Sequence, residues 1–285
     1  VSFYAAALPM NQEPFDLILE PRRSAGNYWR DLWQYRGLFY FLSWRDILVR
    51  YKQTVIGIAW SVIRPLLTMI VFTIVFGRLA QLPNEGVPYI LLVCAAMLPW
   101  QFFANAFTES SQSLIANAPM LTKVYFPRLI IPASAVVVAL VDFFISLLIL
   151  LGLMVWYRFV PGWQVVWLPA FLLMAILVTM GAGFFIAALN VKYRDFRYIV
   201  PFIVQFGLYV SPVGFSSNVI PADWRWLYAL NPMVGVIDGF RWCLLGGSFR
   251  LEPTSFAISI ALTILLFVFG LFYFRRMERS FADVV

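Results

Sequence analysis

Residues 29–65 read WRDLWQYRGLFYFLSWRDILVRYKQTVIGIAWSVIRP. This stretch decides the fold, because the largest block of positive charge in the chain runs straight into apolar sequence. Ahead of the apolar run, Tyr28, Leu32, Tyr35 and Phe39 are spaced four, three and four apart while Arg30, Asp31 and Gln34 face away, which is the period of a helix with one apolar face. The spacing predicts an amphipathic helix over 28–40, lying in a membrane surface. Trp29 and Trp33 fit the headgroup level, where a ring keeps an apolar body and a polar edge satisfied together. Arg36, Arg45, Arg50 and Lys52 then hold the segment on the cytoplasmic side.

The whole composition agrees with a membrane. The 285 residues are 62% hydrophobic and 12% charged, with a mean hydropathy of +0.82, too little polar surface to cover a soluble globule of this length. Continuous apolar runs, not alternation, make the spans helices and the fold class all-α. The formal charge of +7 is distributed for a membrane, not for nucleic acid. Two cysteines, Cys94 in an apolar run and Cys243 in a later loop, make no disulfide framework. The absence of histidine removes the commonest general base and metal ligand.

Six spans are expected, at about 56–77, 89–108, 129–157, 165–190, 198–214 and 256–274. The first is interrupted by Arg64 and Pro65, which predicts a kink or a helix junction. A turn follows at 83–86. Residues 111–128 are too polar to span and read as a loop in which Pro119 opens a short helix. In the fourth span Ala175, Thr179, Gly183 and Ala187 form a small-residue seam for close packing. Pro201 and Pro212 fall in the fifth. Between spans five and six, two apolar pieces at 227–237 and 240–245, separated by Asp238 and Gly239 and with Pro232 breaking the first, are too short to cross and read as re-entrant or periplasmic helices.

Fifteen of the Lys and Arg residues fall on the side of the N-terminal segment, the 111–128 and 191–197 loops and the tail, against five on the other: Arg78, Arg158, Arg225, Arg241 and Arg250. The positive-inside rule then places both termini in the cytoplasm. Residues 1–26 lack the basic start and cleavage site of a signal peptide and read as a cytoplasmic lead-in to one membrane domain over 27–285.

No phosphate-cradling glycine loop, paired carboxylates, metal-ligand spacing or nucleophile elbow occurs, so no catalytic, cofactor or metal residues are assigned and any ATP-driven step needs a partner. Two ionisable residues lie at membrane depth, Arg64 and Asp142. Counted at about 1.5 Å per residue, they differ in depth by roughly 7 Å. A mutual pair and a contact of Arg64 with an anionic lipid headgroup both remain open. Two aromatic stripes share helical faces: Trp100, Phe103 and Phe107, then Phe202, Phe206 and Tyr209. Spacing alone leaves them between packing surface and a greasy path for sugar rings.

Three strings carry a family resemblance: Arg50, Tyr51, Lys52, Gln53 and Thr54 followed by Gly57, Arg64 and Pro65; Lys123, Val124, Tyr125, Phe126, Pro127 and Arg128; and Asn190, Val191, Lys192, Tyr193, Arg194, Asp195 and Phe196. In this order they resemble the permease subunits of bacterial ABC-type (ABC-2) polysaccharide exporters, most of all the O-antigen (Wzm-like) permeases. The resemblance implies a homodimer in the inner membrane, paired with two copies of a separate ATPase that binds ATP and Mg, exporting a lipid-linked polysaccharide. Docking of that ATPase is expected where aromatic and basic residues meet beside span ends, at Tyr35, Arg36, Arg45, Arg50, Lys52, Lys123, Tyr125, Phe126 and Arg128. The two aromatic stripes are then candidates for the transport path. A capsule, teichoic-acid or small-drug exporter is the alternative on the same fold, and a membrane lipid-sugar transferase is a remote one.

Overall fold

The computed structural model describes residues 25–52, 55–83, 85–121, 123, 126–193, 195–246, 249, 251–278 and 281; within them only the backbone is described at 25–27, 52, 55–62, 64 and 222. Most of the lead-in expected over 1–26, together with Tyr125, Arg194 and Arg250, lies outside the described residues.

The described residues are helical and contain no strand. In chain order the helices are α1 (Ala25–Gln34), α2 (Arg36–Lys52), α3 (Val55–Phe72), α4 (Tyr89–Ala116), the single turn α5 (Ala118–Leu121), α6 (Ile130–Trp156), α7 (Leu168–Lys192), α8 (Phe196–Val210), α9 (Ala222–Tyr228), α10 (Pro232–Leu245) and α11 (Pro253–Glu278). Four are long and apolar enough to cross a membrane: α4, α6, α7 with its leading 3-10 turn from Trp163, and α11. The apolar stretches Pro65–Leu79 and Phe196–Val210, in the regions expected as first and fifth spans, are shorter.

α4 is the central helix. Every residue from 91 to 100 is buried, and α4 packs along both α6 and α7, while α7 packs along α11. Because lipid tails are as apolar as the side chains, such packing depends on close fit rather than on expulsion of water. A Cβ added at Gly270 of α11 would stand 2.0 Å from the Gly181 carbonyl oxygen of α7, so the two backbones touch there. On its other side α7 presents Ala175, Thr179, Gly183 and Ala187, all buried, and a Cβ at Gly183 would meet the Ser110 hydroxyl of α4 at 2.6 Å.

A second apolar cluster gathers Leu42, Leu114, Phe126, Leu129, Phe184, Phe274 and Phe281, with Tyr28, Leu32, Tyr35 and Phe39 packed against it. The periodic face read from the sequence therefore lies on protein. The single helix expected over 28–40 is two, α1 and α2, parted by a turn at Tyr35. Gly37, two residues on, weakens helix there.

Several expected boundaries move. α3 runs through Pro65 without interruption; its departure from α geometry comes later, as π-helical turns over Thr73–Leu79, where a Cβ at Gly77 would already crowd the Tyr89 ring at 2.9 Å. The second span does not end at 108, since α4 continues to Ala116. Its polar end is tolerated because Ser111 and Ser113 turn their hydroxyls back onto the Thr108 and Ser110 carbonyls at 2.8 and 2.7 Å, which lets buried hydroxyls stay satisfied inside a helix. The short helix opened by Pro119 is the single turn α5. α8 stops at Val210, ahead of Pro212, and α11 extends past both ends of 256–274.

Asp238 and Gly239 do not divide two pieces either; α10 passes through both, and the break falls at Asn231, whose side chain caps α10 by accepting from the Met233 amide at 3.0 Å. Gly239 is needed for contact: a Cβ there would meet the Phe171 ring at 2.0 Å. Cys243 accordingly sits in a helix, buried and free like Cys94.

Candidate functional site

A cleft of about 580 Å³ opens between α3, α4, α6 and α8. α4 supplies the largest share of its wall. Gln101, Asn105 and Thr108, four and three residues apart, share the helical face that lines it. α3 contributes Pro65 and Thr68, α6 Asp142, Phe143 and Ser146, and α8 Pro201, Val204, Gln205 and Leu208. α8 comes so close to α4 that a Cβ at Gly207 would meet the Trp100 ring at 2.7 Å.

Arg50 and Asp142 both line this cleft. The Arg50 guanidinium lies 2.5 Å from the Glu109 carboxylate of α4 and 2.7 Å from that of Asp142 on α6, and the Tyr51 hydroxyl donates to Asp142 as well. Asp142 is twelve residues beyond Ile130, the start of α6, or about 18 Å along the helix axis. α2 therefore leans along α6 and sets its cation beside the middle of that helix. A guanidinium so placed is retained only when paired. The Arg64 side chain lies outside the described residues, and Asp142 has Arg50 and Tyr51 as partners.

Glu109 was missed because the expected second span stopped one residue short of it. The signal was present: a carboxylate one turn beyond Asn105, on the polar side of α4. Arg45 makes a parallel link, paired with Asp46 at 2.8 Å and donating to the Asn117 side chain at 3.1 Å, so α2 is tied to α4 at two levels.

The other expected docking residues are scattered. Tyr35 is half-buried against the second apolar cluster, and Arg36 lies over the Trp33 ring at 5.2 Å. Lys123 is exposed, whereas Phe126 is buried. The Arg128 amide donates to Glu278 Oε1 at 2.8 Å and its guanidinium to the Glu278 carbonyl at 3.0 Å. The Lys52 side chain and Tyr125 lie outside the described residues.

The two aromatic stripes part company. Trp100, Phe103 and Phe107 are buried in a row with centroids 5.4 Å apart at each step, Trp100 tilted against Phe103 and Phe103 stacked on Phe107; of the three, Trp100 reaches the cleft. Phe202, Phe206 and Tyr209 are exposed on α8, the first two stacked at 5.7 Å.

A buried cation on α10 also escaped the sequence reading, which counted Arg241 only as an outside charge. It is 1% exposed and donates to the carbonyls of Phe215, Val213 and Leu92 at 2.7, 3.1 and 3.4 Å, fixing the connector after α8 to α4 and α10. Nearby, Asp238 accepts from the Ser217 hydroxyl at 2.8 Å. Burial pushes its carboxyl up to about 6, with Arg241 and Ser217 pulling the other way.

The chain matches the ABC-2 type transporter family over residues 37–245. It is 30% identical over 244 residues to an O-antigen export system permease protein RfbA of Klebsiella pneumoniae, a match covering 85% of this chain and 92% of the relative. A protein of the same name from Myxococcus xanthus is 29% identical over 254 residues, 87% of this chain and 96% of the relative. The inner membrane transport permease YadH of Escherichia coli K12 is 23% identical over 218 residues, 73% of this chain and 84% of the relative. With the family match spanning most of the apolar helices, the chain belongs to the ABC-2 type transporter family of multi-pass membrane permeases.

Proposed function

We propose that this chain is the membrane-spanning subunit of an ATP-driven exporter that moves lipid-linked O-antigen polysaccharide from the cytoplasm to the periplasm across the inner membrane. The observation that carries the reading is the 30% identity to the Klebsiella O-antigen export permease over 85% of the chain. The chain works as a homodimer with two copies of a separate ATPase, which binds the ATP and Mg. α3 and α8 complete six spans, α1 with the start of α2 lies at the membrane surface, α9 and α10 face the periplasm, and both termini are cytoplasmic. The charge bias of fifteen to five supports that orientation.

The ATPase docks on the segment around Tyr35, Arg36, Arg45, Arg50 and Lys52 and on the stretch of Lys123, Tyr125, Phe126 and Arg128. Arg64 meets the anionic headgroup of the lipid carrier from the cytoplasmic leaflet. Phe202, Phe206 and Tyr209 give each subunit an apolar wall toward its copy, and Trp100 opens on the cleft behind them.

Deletion of the gene in the bacterium that carries it is expected to abolish surface O-antigen while the lipid-linked glycan accumulates inside, with the chain co-purifying a nucleotide-hydrolysing subunit. Loss of a capsule or of a teichoic acid instead would move the substrate to that class. Unchanged surface glycan of every kind would overturn export altogether. Thiol labelling in intact cells tests the orientation: cysteines replacing Arg158 and Trp224 react with an impermeant reagent, and those replacing Lys123 and Lys192 react only after permeabilisation.

A further inference from the structure

The cleft beside α4 combines three observations. Its wall carries the side-chain amides of Gln101, Asn105 and Gln205. Among the described residues none of these three amides is hydrogen-bonded to another side chain, although each brings two donors and a carbonyl acceptor. The cleft runs beside the ion pair of Arg50 with Asp142 of α6. Gln101 and Asn105 are half-buried and Gln205 is exposed, so all three amides are free to meet a polar ligand, and leaving them against lipid alone would be costly.

From this geometry we infer that Gln101, Asn105 and Gln205 form a hydrogen-bonding subsite for uncharged sugar residues inside each subunit, and that this amide face, rather than the Phe103 and Phe107 stack, touches the moving glycan.

The chemistry fits one ligand class. Amides offer donors and acceptors to the neighbouring hydroxyls of a pyranose, and Trp100 and Phe143 in the same wall offer flat apolar surface to its C–H face. Three amides divided between α4 and α8 make a sparse set, which suits a chain that must move on. Charge argues against an anion at this place. The single guanidinium of Arg50 already stands between two carboxylates, Glu109 and Asp142, so the end of the cleft carries a surplus of negative charge that repels a diphosphate. The lipid headgroup is therefore held elsewhere and the cleft takes the neutral sugars behind it. Phe103 and Phe107 are 7% and 2% exposed and are absent from the cleft wall.

This inference rests on the export reading, and the test separates the two. In the deletion strain, the wild-type gene is first shown to restore the surface glycan; failure there sinks the export reading and not the subsite alone. The same strain then receives Gln101→Leu, Asn105→Leu and Gln205→Leu, singly and together. At wild-type membrane abundance, the triple variant is expected to lower surface glycan by about tenfold or more, as loss of several hydrogen bonds to a substrate would. Asn105→Gln, which keeps an amide, retains export. Full export by the triple variant overturns the subsite. Should the triple variant fail to accumulate, thiol labelling decides in a background with Cys94→Ala and Cys243→Ala. Asn105→Cys is expected to react with a small water-soluble thiol reagent and Phe103→Cys to stay protected; the reverse pattern overturns the inference.

Discussion

The Arg50 guanidinium of α2 and the Asp142 carboxylate of α6 stand 2.7 Å apart, about 18 Å along α6 from its start. Glu109 holds the same guanidinium from α4 at 2.5 Å, so one cation joins three helices. Removing it leaves two carboxylates facing each other between α4 and α6, while removing one carboxylate leaves a pair intact. Arg50→Met is therefore expected to destabilise by about 2–3 kcal/mol, below the cost of breaking a fully buried pair because Arg50 is partly exposed. Asp142→Asn should cost clearly less, and Arg50→Met with Glu109→Gln and Asp142→Asn should recover most of the loss. Thermal unfolding in detergent micelles measures all three. Equal loss from Arg50→Met and Asp142→Asn would show that the cluster is not organised around the arginine.

How much of this was legible in the sequence depends on what set each feature. The long apolar helices follow from composition and run length, and α6 matches its expected ends within a residue because an arginine and a proline stand at each of its flanks, Pro127 and Arg128 before it and Arg158 and Pro161 after it. α4 outran its expected end because serines that look like loop residues are satisfied by their own helix. The strings around Arg50, Lys123 and Lys192 carried the family. Partners could not be read the same way. Arg50 to Asp142, Arg128 to Glu278 and Arg241 to three carbonyls are contacts across long sequence separations, and neither period nor spacing encodes them. The buried and exposed aromatic stripes look alike along the chain and differ only in what packs over them.

Gly270 and Gly152 both lie inside long apolar helices and should respond oppositely to alanine. At Gly270 the added methyl would stand 2.0 Å from the Gly181 carbonyl oxygen, a backbone atom that cannot turn aside. Gly270→Ala is expected to part α7 from α11 at a cost of about 3 kcal/mol or more. Gly152 has nothing within 4 Å of the new carbon, and Gly152→Ala should be neutral or stabilising by up to about 1 kcal/mol. Membrane abundance and melting temperature read both. A stable Gly270→Ala protein would mean that this crossing is looser than described.

Asp238 gives a pH dependence with a definite sign. Its carboxyl is raised from 3.8 to about 6, chiefly by burial, so the folded chain holds a proton between roughly pH 4 and 6 that the unfolded chain has released. The stability this group confers is complete below the unfolded value and is lost as pH rises through the folded one. Asp238→Asn, which keeps the shape without the charge, is expected to melt higher than the wild type at pH 7.5, to keep a smaller advantage at pH 5 and to lose it below about pH 4. An unchanging difference between the two proteins over this range would show that Asp238 does not titrate there.

The last prediction separates docking from folding within one loop. Phe126 is 4% exposed and packs in the cluster with Leu42, Leu129 and Phe281, so Phe126→Ala removes a core side chain at a cost of about 3–5 kcal/mol. Loss of export in that variant reports on folding. Lys123, three residues earlier, is exposed, and a surface exchange there changes stability by no more than about 0.5 kcal/mol. Lys123→Glu is expected to reach the membrane at wild-type abundance with an unchanged melting temperature, yet to capture less of the ATPase subunit. Because exposed charges are screened within about 8 Å at physiological salt, the deficit should be largest at low ionic strength and shrink as salt is added. Capture equal to the wild type at low salt would place the docking surface away from this loop, on the α2 side around Arg36 and Arg45.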